Sequence, residues 1–516
     1  MKNENKVGSR QAVRGIVVTI FWTLGSRVLG LIRDVCMTAA LGATAGHGNF
    51  LMAWIAPNLF RRLVGEGAVS AAIQPALARA REEKGEASAH RMYARFHGVL
   101  GLILVGLVVV VEAILLFLPS VLGARLSPDD MAALRLGAIL FPYVLPICLT
   151  ALASAPQHLS GRFSLPALAP ALLNVVWIVA LQVILLFEGS GAGTERILCV
   201  AILFGGVIQW AAQIPGVRAA GWPIAPSVQS EDGSVRDAMK KFLPAMVGLA
   251  AVQINFALDH GLVRWLVDPS ATTYTFYANR LLQLPLALLA ISVATGLMPL
   301  FSRLAAEKKE ADIPDALRRG GETILLLIFA AGIGLSILAL PAVTVLFEHG
   351  RFSAEASKVM SDTLRAYLWC LPAAALIALL TRARQSIGDV RGPARAAVFA
   401  IPVNLVLNVL LLPKFGAPGA GYATAVALTL QCVVLIWGGN LGVPFKWTRL
   451  PKLFAPGLTA GAAALFCVKF LGGTASTPLG LILCIAAGVV VAIFVTRLLL
   501  PGEWFHLRRH LARKGS

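Results

Sequence analysis

Long apolar stretches alternate with short polar connections over the whole chain. Hydropathy predicts fourteen such stretches, each close to or above the length of about 20 residues that a helix needs to cross a bilayer. Several exceed that length, and we expect these to extend beyond the membrane or to break inside it. This pattern predicts an all-α polytopic membrane protein. The approximate limits of the stretches are 14–36, 48–82, 92–119, 128–160, 164–188, 194–219, 236–267, 271–305, 314–347, 354–387, 393–413, 418–440, 452–472 and 477–500.

The polar connections alternate in charge. Lysine and arginine concentrate near both ends of the chain and in alternate connections, whereas most of the remaining connections are poor in charge or acidic. Because cytoplasmic loops carry the excess of these two residues, both termini are predicted to lie in the cytoplasm. The basic segments are 2–14, 79–95, 303–319, 382–395, 446–452 and 508–514.

Composition supports the membrane interpretation. Of the 516 residues, 57% are hydrophobic and 14% are charged, and the mean hydropathy is +0.77. The formal net charge of +19 lies mainly in short connections, so we attribute it to membrane topology and expect no nucleic-acid partner. The basic start leads into a helix without a small-residue cleavage site, so we expect no removed signal peptide.

Common enzyme motifs are absent from the sequence. We find no Walker A segment, no HExxH, no GxSxG and no dinucleotide-binding glycine pattern. A membrane enzyme acting on a diphosphate lipid normally holds Mg²⁺ with several carboxylates, and acidic residues in the apolar stretches are few and scattered. The seven cysteines stand singly, which is typical of small core residues rather than of a disulfide or zinc framework.

The chain repeats weakly upon itself with an offset of about 225 residues. The segment 74–79 is similar to 298–303, and the segment 161–166 is similar to 388–393. Six stretches per repeat is an even number, so both repeats should insert with the same orientation and be related by an axis along the membrane normal. We expect two pseudo-symmetric lobes of six helices, 1–225 and 226–445, followed by two extra helices and a basic cytoplasmic tail, 446–516.

The first apolar stretch carries charges inside its hydrophobic run. Arg27 lies 13 residues after Arg14, about 20 Å along a straight helix, which is too deep for simple anchoring at the interface. Asp34 lies about 20° from Arg27 around the helix and could orient or partly neutralise it. An isolated charge in hydrocarbon costs roughly 2.5–3.5 kcal/mol on insertion scales, so such residues usually face a protein-lined cavity. Arg33 points elsewhere, and snorkelling to the headgroups is its alternative.

Further arginines extend this set. The second stretch carries Arg61 and Arg62, of which only one can point squarely inward, and the repeat gives Arg280 to the second lobe. A guanidinium is planar, permanently charged and bidentate, and therefore suits phosphate. We interpret these residues as a pocket for an anionic headgroup.

The second lobe carries a candidate cation site. Asn404 and Asn408 share one helix face, Thr424 is available from the next stretch, and Asp259 from the seventh. Carboxylate, amide and hydroxyl oxygens are the ligands that hard cations such as Na⁺ prefer. Two alternatives stay open: hydrogen bonding between helices, and a proton-linked pair of Asp259 with His260.

Several blocks of the sequence resemble the MurJ/MviN family of lipid II flippases, a branch of the multidrug/oligosaccharidyl-lipid/polysaccharide exporter superfamily. The similarity runs in order over nearly the whole chain, and the first two blocks are quite specific to this branch. The blocks are SRVLGLIRD (26–34), PNLFRRLVGEGAVSAAIQP (57–75), RFSLPALAPALLN (162–174), YANRLLQLP (277–285) and LFEHGRF (346–352).

The resemblance implies a transporter in the bacterial cytoplasmic membrane rather than an enzyme. Its cargo would be lipid II, the undecaprenyl-diphosphate-linked peptidoglycan precursor, moved from the inner to the outer leaflet by alternating access. It also implies a groove for the lipid tail formed by the two extra helices, and we expect a monomer that associates with cell-wall synthesis proteins. The implied substrate-binding residues are Arg27, Arg33, Arg61, Arg280, Ser26, Asp34, Asn58 and Glu66. The implied Na⁺ ligands are Asp259, Asn404, Asn408, the carbonyl of Ala420, and Thr424; this ion would be the sole cofactor, with a coupling or structural role.

The chain also departs from the family pattern. Gly48 and Asn279 stand where many members have acidic residues, and Asn408 is neutral where an aspartate can occur. Arg384 and Gln385 replace an aromatic pair. The last two departures, at Asn408 and at Arg384 and Gln385, bear on ion coupling and gating more than on the substrate.

Three rival functions remain at this stage. The first is export of another lipid-linked oligosaccharide or of a drug, although drug exporters of this superfamily carry organic cations and the pocket predicted here is cationic. The second is a membrane-bound enzyme acting on polyprenyl lipids, which the scattered carboxylates disfavour. The third is a scaffold that has lost transport, which the retained cavity charges disfavour.

Overall fold

Helices make up the regular structure in the described part of the chain. The structure is a computed structural model that describes residues 2–63, 73–187, 193–228, 253, 255–439 and 441–500, without the side chains of residues 2–17, 20 and 124. Two compact units, Met1–Ala257 and Leu258–Ser516, account for the chain. The division into 1–225, 226–445 and 446–516 stays a prediction.

The helices of the first unit follow the predicted stretches. They are α1 (Lys2–Leu41), α2 (Ala45–Phe60), α3 (Gln74–Lys84), α4 (Glu86–Leu122), α5 (Pro128–Leu140), α6 (Val144–Leu159), α7 (Ser164–Phe187), α8 (Thr194–Ala211) and α9 (Ile214–Ala219).

The second unit continues the same pattern. Its helices are α10 (255–266, beginning in the last residues of the first unit), α11 (Ala271–Pro285), α12 (Ser292–Ala306), α13 (Ile313–Ile337), α14 (Ala339–Phe347), α15 (Ala354–Leu368), α16 (Leu371–Ser386), α17 (Arg391–Phe415), α18 (Ala417–Trp437), α19 (Leu450–Leu471) and α20 (Pro478–Leu499).

The all-α membrane fold is confirmed. Among the described residues, 10 helical segments are long and apolar enough to cross a membrane, and the bent pair α15–α16 raises this to 11. Each of these segments coincides with a predicted stretch. The predicted total of fourteen is compatible with this number. The three stretches not counted are the first, which lies in α1 and carries Arg27, Arg33 and Asp34, and the second and seventh, parts of which lie outside the described residues.

Several stretches break inside, as their length suggested, and proline stands at the breaks. The chain forms a 3₁₀ turn at Phe141–Tyr143 between α5 and α6. The pair α15–α16 is bent by 45°, and Pro372 lies in the first turn of α16. Proline lacks the amide hydrogen that would continue the preceding helix, so a helix that reaches it ends or bends.

The segment that follows the last membrane helix of each six-helix repeat crosses a glycine. After α9, the amide of Ser227 donates to Ala94 O at 2.9 Å, and a Cβ on Gly98 of α4 would collide with Ser227 O. After α18, a Cβ on Gly321 of α13 would collide with the carbonyl of Pro444. We call residues 222–228 and 441–449 the first and second straps; they lie about 220 residues apart in the sequence, as the repeat requires.

Two further contacts fix the second strap. The buried carboxylate of Glu322 accepts hydrogen bonds from the Lys446 amide at 3.2 Å and from Arg449 Nη1 at 2.9 Å. The helix that follows, α19, then packs on α13 through small residues. A Cβ on Gly457 would lie 2.9 Å from the Phe329 backbone.

Candidate functional site

Two groups of polar side chains lie inside the membrane helices, one in each unit. The arginine cluster consists of Arg27, Arg33, Asp34, Asn174 and Trp177 in the first unit. The polar cluster consists of Asp259, Asn404, Asn408, Thr424 and Tyr367 in the second unit. Each is described within its own unit.

Each of the three guanidinium nitrogens of Arg33 donates a hydrogen bond to a neighbouring side chain. Its Nε and Nη2 donate to Asp34 Oδ1 at 3.1 and 2.6 Å, and its Nη1 donates to Asn174 Oδ1 at 3.1 Å. The guanidinium carbon lies 4.5 Å from the ring centroid of Trp177, a distance at which cation–π attraction is effective. The Arg33 side chain is 12% exposed and that of Asp34 only 2%. Arg33 and Asp34 therefore form a neutral, mostly buried pair that rests on an indole face, and Arg33 does not snorkel.

The Trp177 ring is held rigidly in that position. Its Nε1 donates to the sulfur of Met37 at 3.1 Å. Phe50 and Trp54 meet it edge to face, with centroids 5.7 and 5.1 Å away. Aromatic pairs in this arrangement stabilise one another beyond their burial. The platform under Arg33 is thus built by α1, α2 and α7 together.

Arg27 differs from Arg33 in its surroundings. Asp34, on nearly the same side of α1, is buried, yet the Arg27 side chain is exposed. Within the described residues it has no hydrogen-bond or ion-pair partner. Asp34 pairs with Arg33, so of these two arginines Arg27 is the one whose charge is not compensated among the described residues.

Ser26 enters this arrangement through its backbone. The side-chain nitrogen Nδ2 of Asn174, on α7, donates to the backbone oxygen of Ser26 at 3.1 Å. Asn174 is 7% exposed. The sequence placed Ser26 in the pocket by resemblance and did not single out either Asn174 or Trp177. A polar residue within the apolar run of α7 was the signal that could have identified Asn174.

The end of α2 carries the next predicted residues. Arg61 Nε donates to Asn58 Oδ1, one turn earlier, at 3.1 Å, and both side chains are half-buried. Arg62 Nη1 donates to Gln253 Oε1 at 3.2 Å. Glu66 lies outside the described residues. Arg280 belongs to α11 of the second unit, where it is half-buried.

The polar cluster forms on a buried stripe of α17. Every fourth residue of this helix from Ala396 to Leu412 is buried, and Asn404 and Asn408 belong to that stripe. Asn408 Nδ2 donates to Asp259 Oδ1 at 2.7 Å, and Asn404 Nδ2 lies 3.5 Å from Asp259 Oδ2. Asn408 Nδ2 also contacts Asn404 Oδ1. The structure therefore brings together the three residues that the sequence placed on two different helices.

Two oxygens of this cluster are buried and lack a hydrogen bond among the described residues, namely Asn408 Oδ1 and Thr424 Oγ1. Tyr367, on α15, is buried, and its backbone lies against Gly421 of α18, close to Thr424 in the sequence; its hydroxyl is within electrostatic range of Asp259 and Thr424, which groups these residues. Ala420, one turn before Thr424 on α18, is fully buried. Tyr367 is a member that sequence reasoning missed.

Among the described residues, no basic side chain forms an ion pair with Asp259. Its carboxylate is met by amides. Burying a carboxylate in this way is costly unless a proton or a cation compensates it. Unsatisfied oxygens beside an unbalanced carboxylate are the donor set that a hard cation uses.

Known proteins match this chain over most of its length. A family model described as "Lipid II flippase MurJ" matches residues 37–494. The probable lipid II flippase MurJ of Rhizobium tropici is 31% identical over 519 residues, covering 95% of each chain. That of Haemophilus influenzae is 30% identical, covering 86% of this chain and 89% of its own.

Solved structures give the same fold. A lipid II flippase MurJ in an inward closed conformation superposes with a TM-score of 0.77 at 22% identity, over 93% of this chain and 98% of that one. An inward-facing multidrug resistance transporter of the MATE family superposes with a TM-score of 0.63 at 13% identity, over 85% of this chain and 98% of that one.

Proposed function

Because the chain belongs to the lipid II flippase family MurJ, whose members are transporters rather than enzymes, we propose that it moves lipid II from the inner to the outer leaflet of the bacterial cytoplasmic membrane. The relatives that carry this name cover nearly the whole chain. The cargo would be the undecaprenyl-diphosphate-linked precursor, and transport would proceed by alternating access of the two lobes.

The observation that carries the proposal is the state of Arg27. A permanently charged guanidinium inside a membrane helix, exposed and without a partner among the described residues, is costly unless it serves a ligand. A lipid diphosphate carries the opposite charge and accepts the bidentate hydrogen bonds that arginine donates. Arg61 and Arg280 would add charge to the same headgroup during the transport cycle, with Asp34 and Glu66 tuning its release.

We also propose that the polar cluster holds Na⁺. Asp259 would supply the negative charge, and Asn404, Asn408, Thr424 and the Ala420 carbonyl would supply neutral oxygens. The two unsatisfied oxygens, on Asn408 and Thr424, support this assignment, and rotation of the Asn408 amide would present its oxygen. A bound cation would neutralise Asp259 in the low-dielectric interior.

The topology and partners complete the proposal. The basic connections place both termini in the cytoplasm, and the two extra helices would receive the lipid tail. We expect a monomer that works beside cell-wall synthesis proteins. Na⁺ would be the sole cofactor.

The test is complementation of a bacterium depleted of its own lipid II flippase. Wild type should restore growth and the appearance of lipid II at the outer leaflet. Arg27→Ala should reduce that appearance about tenfold or more, since hydrogen bonds to a charged group contribute roughly 1.5–3 kcal/mol each. Arg27→Lys should recover part of it, because the charge stays and the bidentate geometry is lost.

The matched control is Arg79→Ala, which removes an exposed arginine from α3 of the same unit and should transport normally. Immunoblotting of membranes has to show equal abundance for all variants. A well-inserted wild type that exports no lipid II would contradict the proposed cargo. Normal export by Arg27→Ala would contradict the role of this arginine.

A further inference from the structure

We infer that Asn174 is a positioning residue that sets two arginines of α1, Arg27 and Arg33, for anion binding. It touches neither the predicted cargo nor Arg27 directly; it acts through the α1 backbone and through Arg33. The inference deepens the proposed function and rests on it only where lipid II is the ligand.

One carboxamide makes two contacts to α1 that lie two helical turns apart. Its oxygen accepts from Arg33 Nη1, and its nitrogen donates to the carbonyl of Ser26, each at 3.1 Å. The α-helix rises about 1.5 Å per residue, so the backbone positions of Ser26 and Arg33 are roughly 10 Å apart along α1, and the long Arg33 side chain covers most of that distance. Asn174 therefore fixes the register of α1 against α7 between these points.

The hydrogen bond from Asn174 to Ser26 O acts on the position of Arg27 through the α1 backbone. Ser26 directly precedes Arg27, and apolar side chains of α1 just before it are exposed: Phe21 is 66% exposed and Leu24 58%. Gly25 has no atom within 4 Å of the place where its Cβ would lie. The hydrogen bond from the Asn174 side chain to Ser26 O therefore holds the backbone of α1 at the residue next to Arg27 and sets the position from which the Arg27 side chain extends.

The hydrogen bond from Arg33 to Asn174 orients the Arg33 guanidinium and leaves some of its N–H groups for a ligand. An arginine has five N–H donors. Arg33 uses three of them, one on each guanidinium nitrogen, to bond Asp34 and Asn174, so two N–H groups are left. Trp177 supports the guanidinium from one face. Within the described residues, this leaves N–H groups in the guanidinium plane for an incoming anion while the plane itself is already oriented. Such preorganisation reduces the ordering that binding requires.

The neutral amide is the appropriate group for this task. A carboxylate at position 174 would accept from Arg33 but could not donate to Ser26 O, and it would place a second negative charge beside Asp34. A hydrocarbon side chain at position 174 would remove both contacts and leave the net charge of the arginine cluster unchanged. Asn174→Asp and Asn174→Leu therefore test different parts of the inference.

The first experiment reads the arginines chemically and needs no cargo. The purified full chain in detergent is treated with phenylglyoxal, which modifies accessible guanidinium groups, and the modified sites are quantified by mass spectrometry. Arg27 should react in the wild type, whereas Arg33 should be protected. In Asn174→Leu we expect the modification rate of Arg33 to rise at least several-fold.

Gln213→Leu is the matched control. Gln213 is fully buried in the same unit, accepts from Gln157 Nε2 at 2.9 Å and donates to Leu165 O at 3.1 Å. Its replacement removes the same kinds of hydrogen bond away from the arginine cluster. Equal protection of Arg33 in wild type and Asn174→Leu, or equal loss of protection in Gln213→Leu, would overturn the inference.

The second experiment measures lipid II binding and flipping in proteoliposomes. Asn174→Leu should weaken binding about tenfold, as expected when charge-assisted hydrogen bonds are lost, and Asn174→Asp should weaken it further. In an Arg27→Ala/Arg33→Ala background, Asn174→Leu should add no further loss, because residues that act through one another are not additive. Additive loss would assign Asn174 a general structural role. If the wild type binds no lipid II, the proposed cargo is wrong, while the phenylglyoxal result still decides the role of Asn174.

Discussion

At the scale of single residues, the structure separates two arginines that the family resemblance groups together. Arg27 and Arg33 lie six positions apart in one apolar run, and the resemblance implied that both bind substrate, with snorkelling as the alternative for Arg33. Arg33 is paired with Asp34, bonded to Asn174 and stacked on Trp177, whereas Arg27 is exposed. A charge in hydrocarbon needs compensation, and for Arg33 this chain supplies it internally.

Asp259 leads to a prediction at the same scale. Binding of Na⁺ by the native state alone should raise the thermal unfolding temperature in NaCl above that in choline chloride at equal ionic strength. At a Na⁺ concentration of 100 times Kd the gain would be about 2.7 kcal/mol. Asp259→Asn should abolish this difference, because it removes the only formal charge among the proposed ligands.

The control for Asp259 is Asp389→Asn, which removes a carboxylate from the α16–α17 connection of the same unit and should leave the response to Na⁺ intact. An unchanged response to Na⁺ in Asp259→Asn would contradict the proposed ion site. Differential scanning fluorimetry in detergent suffices for both variants.

Asp389 itself predicts a pH dependence. Its Oδ1 accepts from the Gly392 amide at 2.7 Å and its Oδ2 from Arg384 Nη1 at 2.9 Å. The hydrogen bond from the Gly392 amide, followed by that from Arg384, lowers the pKa of Asp389 from its ordinary value of 3.8. A lowered folded-state pKa stabilises the protein above the ordinary value, and this stabilisation is lost as the pH falls through the folded-state pKa.

We therefore expect wild type to unfold at a higher temperature than Asp389→Asn at pH 6, with the difference shrinking below about pH 4. Asp315→Asn is the comparison, since the Asp315 side chain is 67% exposed and pairs only with the nearby Arg318; its effect should be smaller. A difference that is constant from pH 6 to pH 3 would argue against the role of the Asp389 carboxylate.

At the scale of elements, small residues decide how the last two helices attach to the second unit. A Cβ on Gly457 would lie 2.9 Å from the Phe329 backbone, and one on Gly461 would lie 2.7 Å from Ile333 Cγ2. Small residues let membrane helices approach closely. The spacing of four residues between these glycines of α19 was visible in the sequence, but the sequence did not reveal that α13 is the helix that packs on them.

Gly457→Ala should accordingly destabilise the protein by about 1–3 kcal/mol, the usual cost of forcing a methyl group into a packed contact. Gly334→Ala, in α13, is the matched control. A Cβ there meets nothing within 4 Å, so this change should be neutral or stabilising by up to about 1 kcal/mol through helix propensity. Unfolding temperatures in detergent measure both, and equal effects would contradict the proposed contact.

At the scale of the whole molecule, the repeat appears in the two straps. Each follows the last membrane helix of its repeat and crosses a glycine on the third membrane stretch, α4 or α13. Because each strap leads into the next part of the chain, it fixes where that part leaves the unit. The repeat was visible in the sequence as short matches between its two halves, but the straps were not.

Gly98→Ala and Gly321→Ala should therefore each lower the unfolding temperature, since the added methyl group would meet a strap carbonyl. Gly101→Ala, one turn further along α4, has open space around its Cβ and should have no destabilising effect. Cysteine crosslinking of Ala94 to Ser227 would report displacement of the first strap directly. Equal unfolding temperatures for Gly98→Ala and Gly101→Ala would contradict the close crossing of the first strap over Gly98.

The sequence by itself determined the fold class, most stretch boundaries and the family, because hydropathy and proline positions act locally along the chain. It also selected the residues of the polar cluster other than Tyr367, since buried polar groups in apolar helices are few. Only the tertiary structure decided which charges are compensated and which oxygens stay unsatisfied. Those properties depend on partners such as Asn174, Trp177 and Tyr367, which lie on other helices more than 100 residues away from Arg33 and Asp259 in the sequence. No periodicity within one helix encodes which side chain of another helix will meet it.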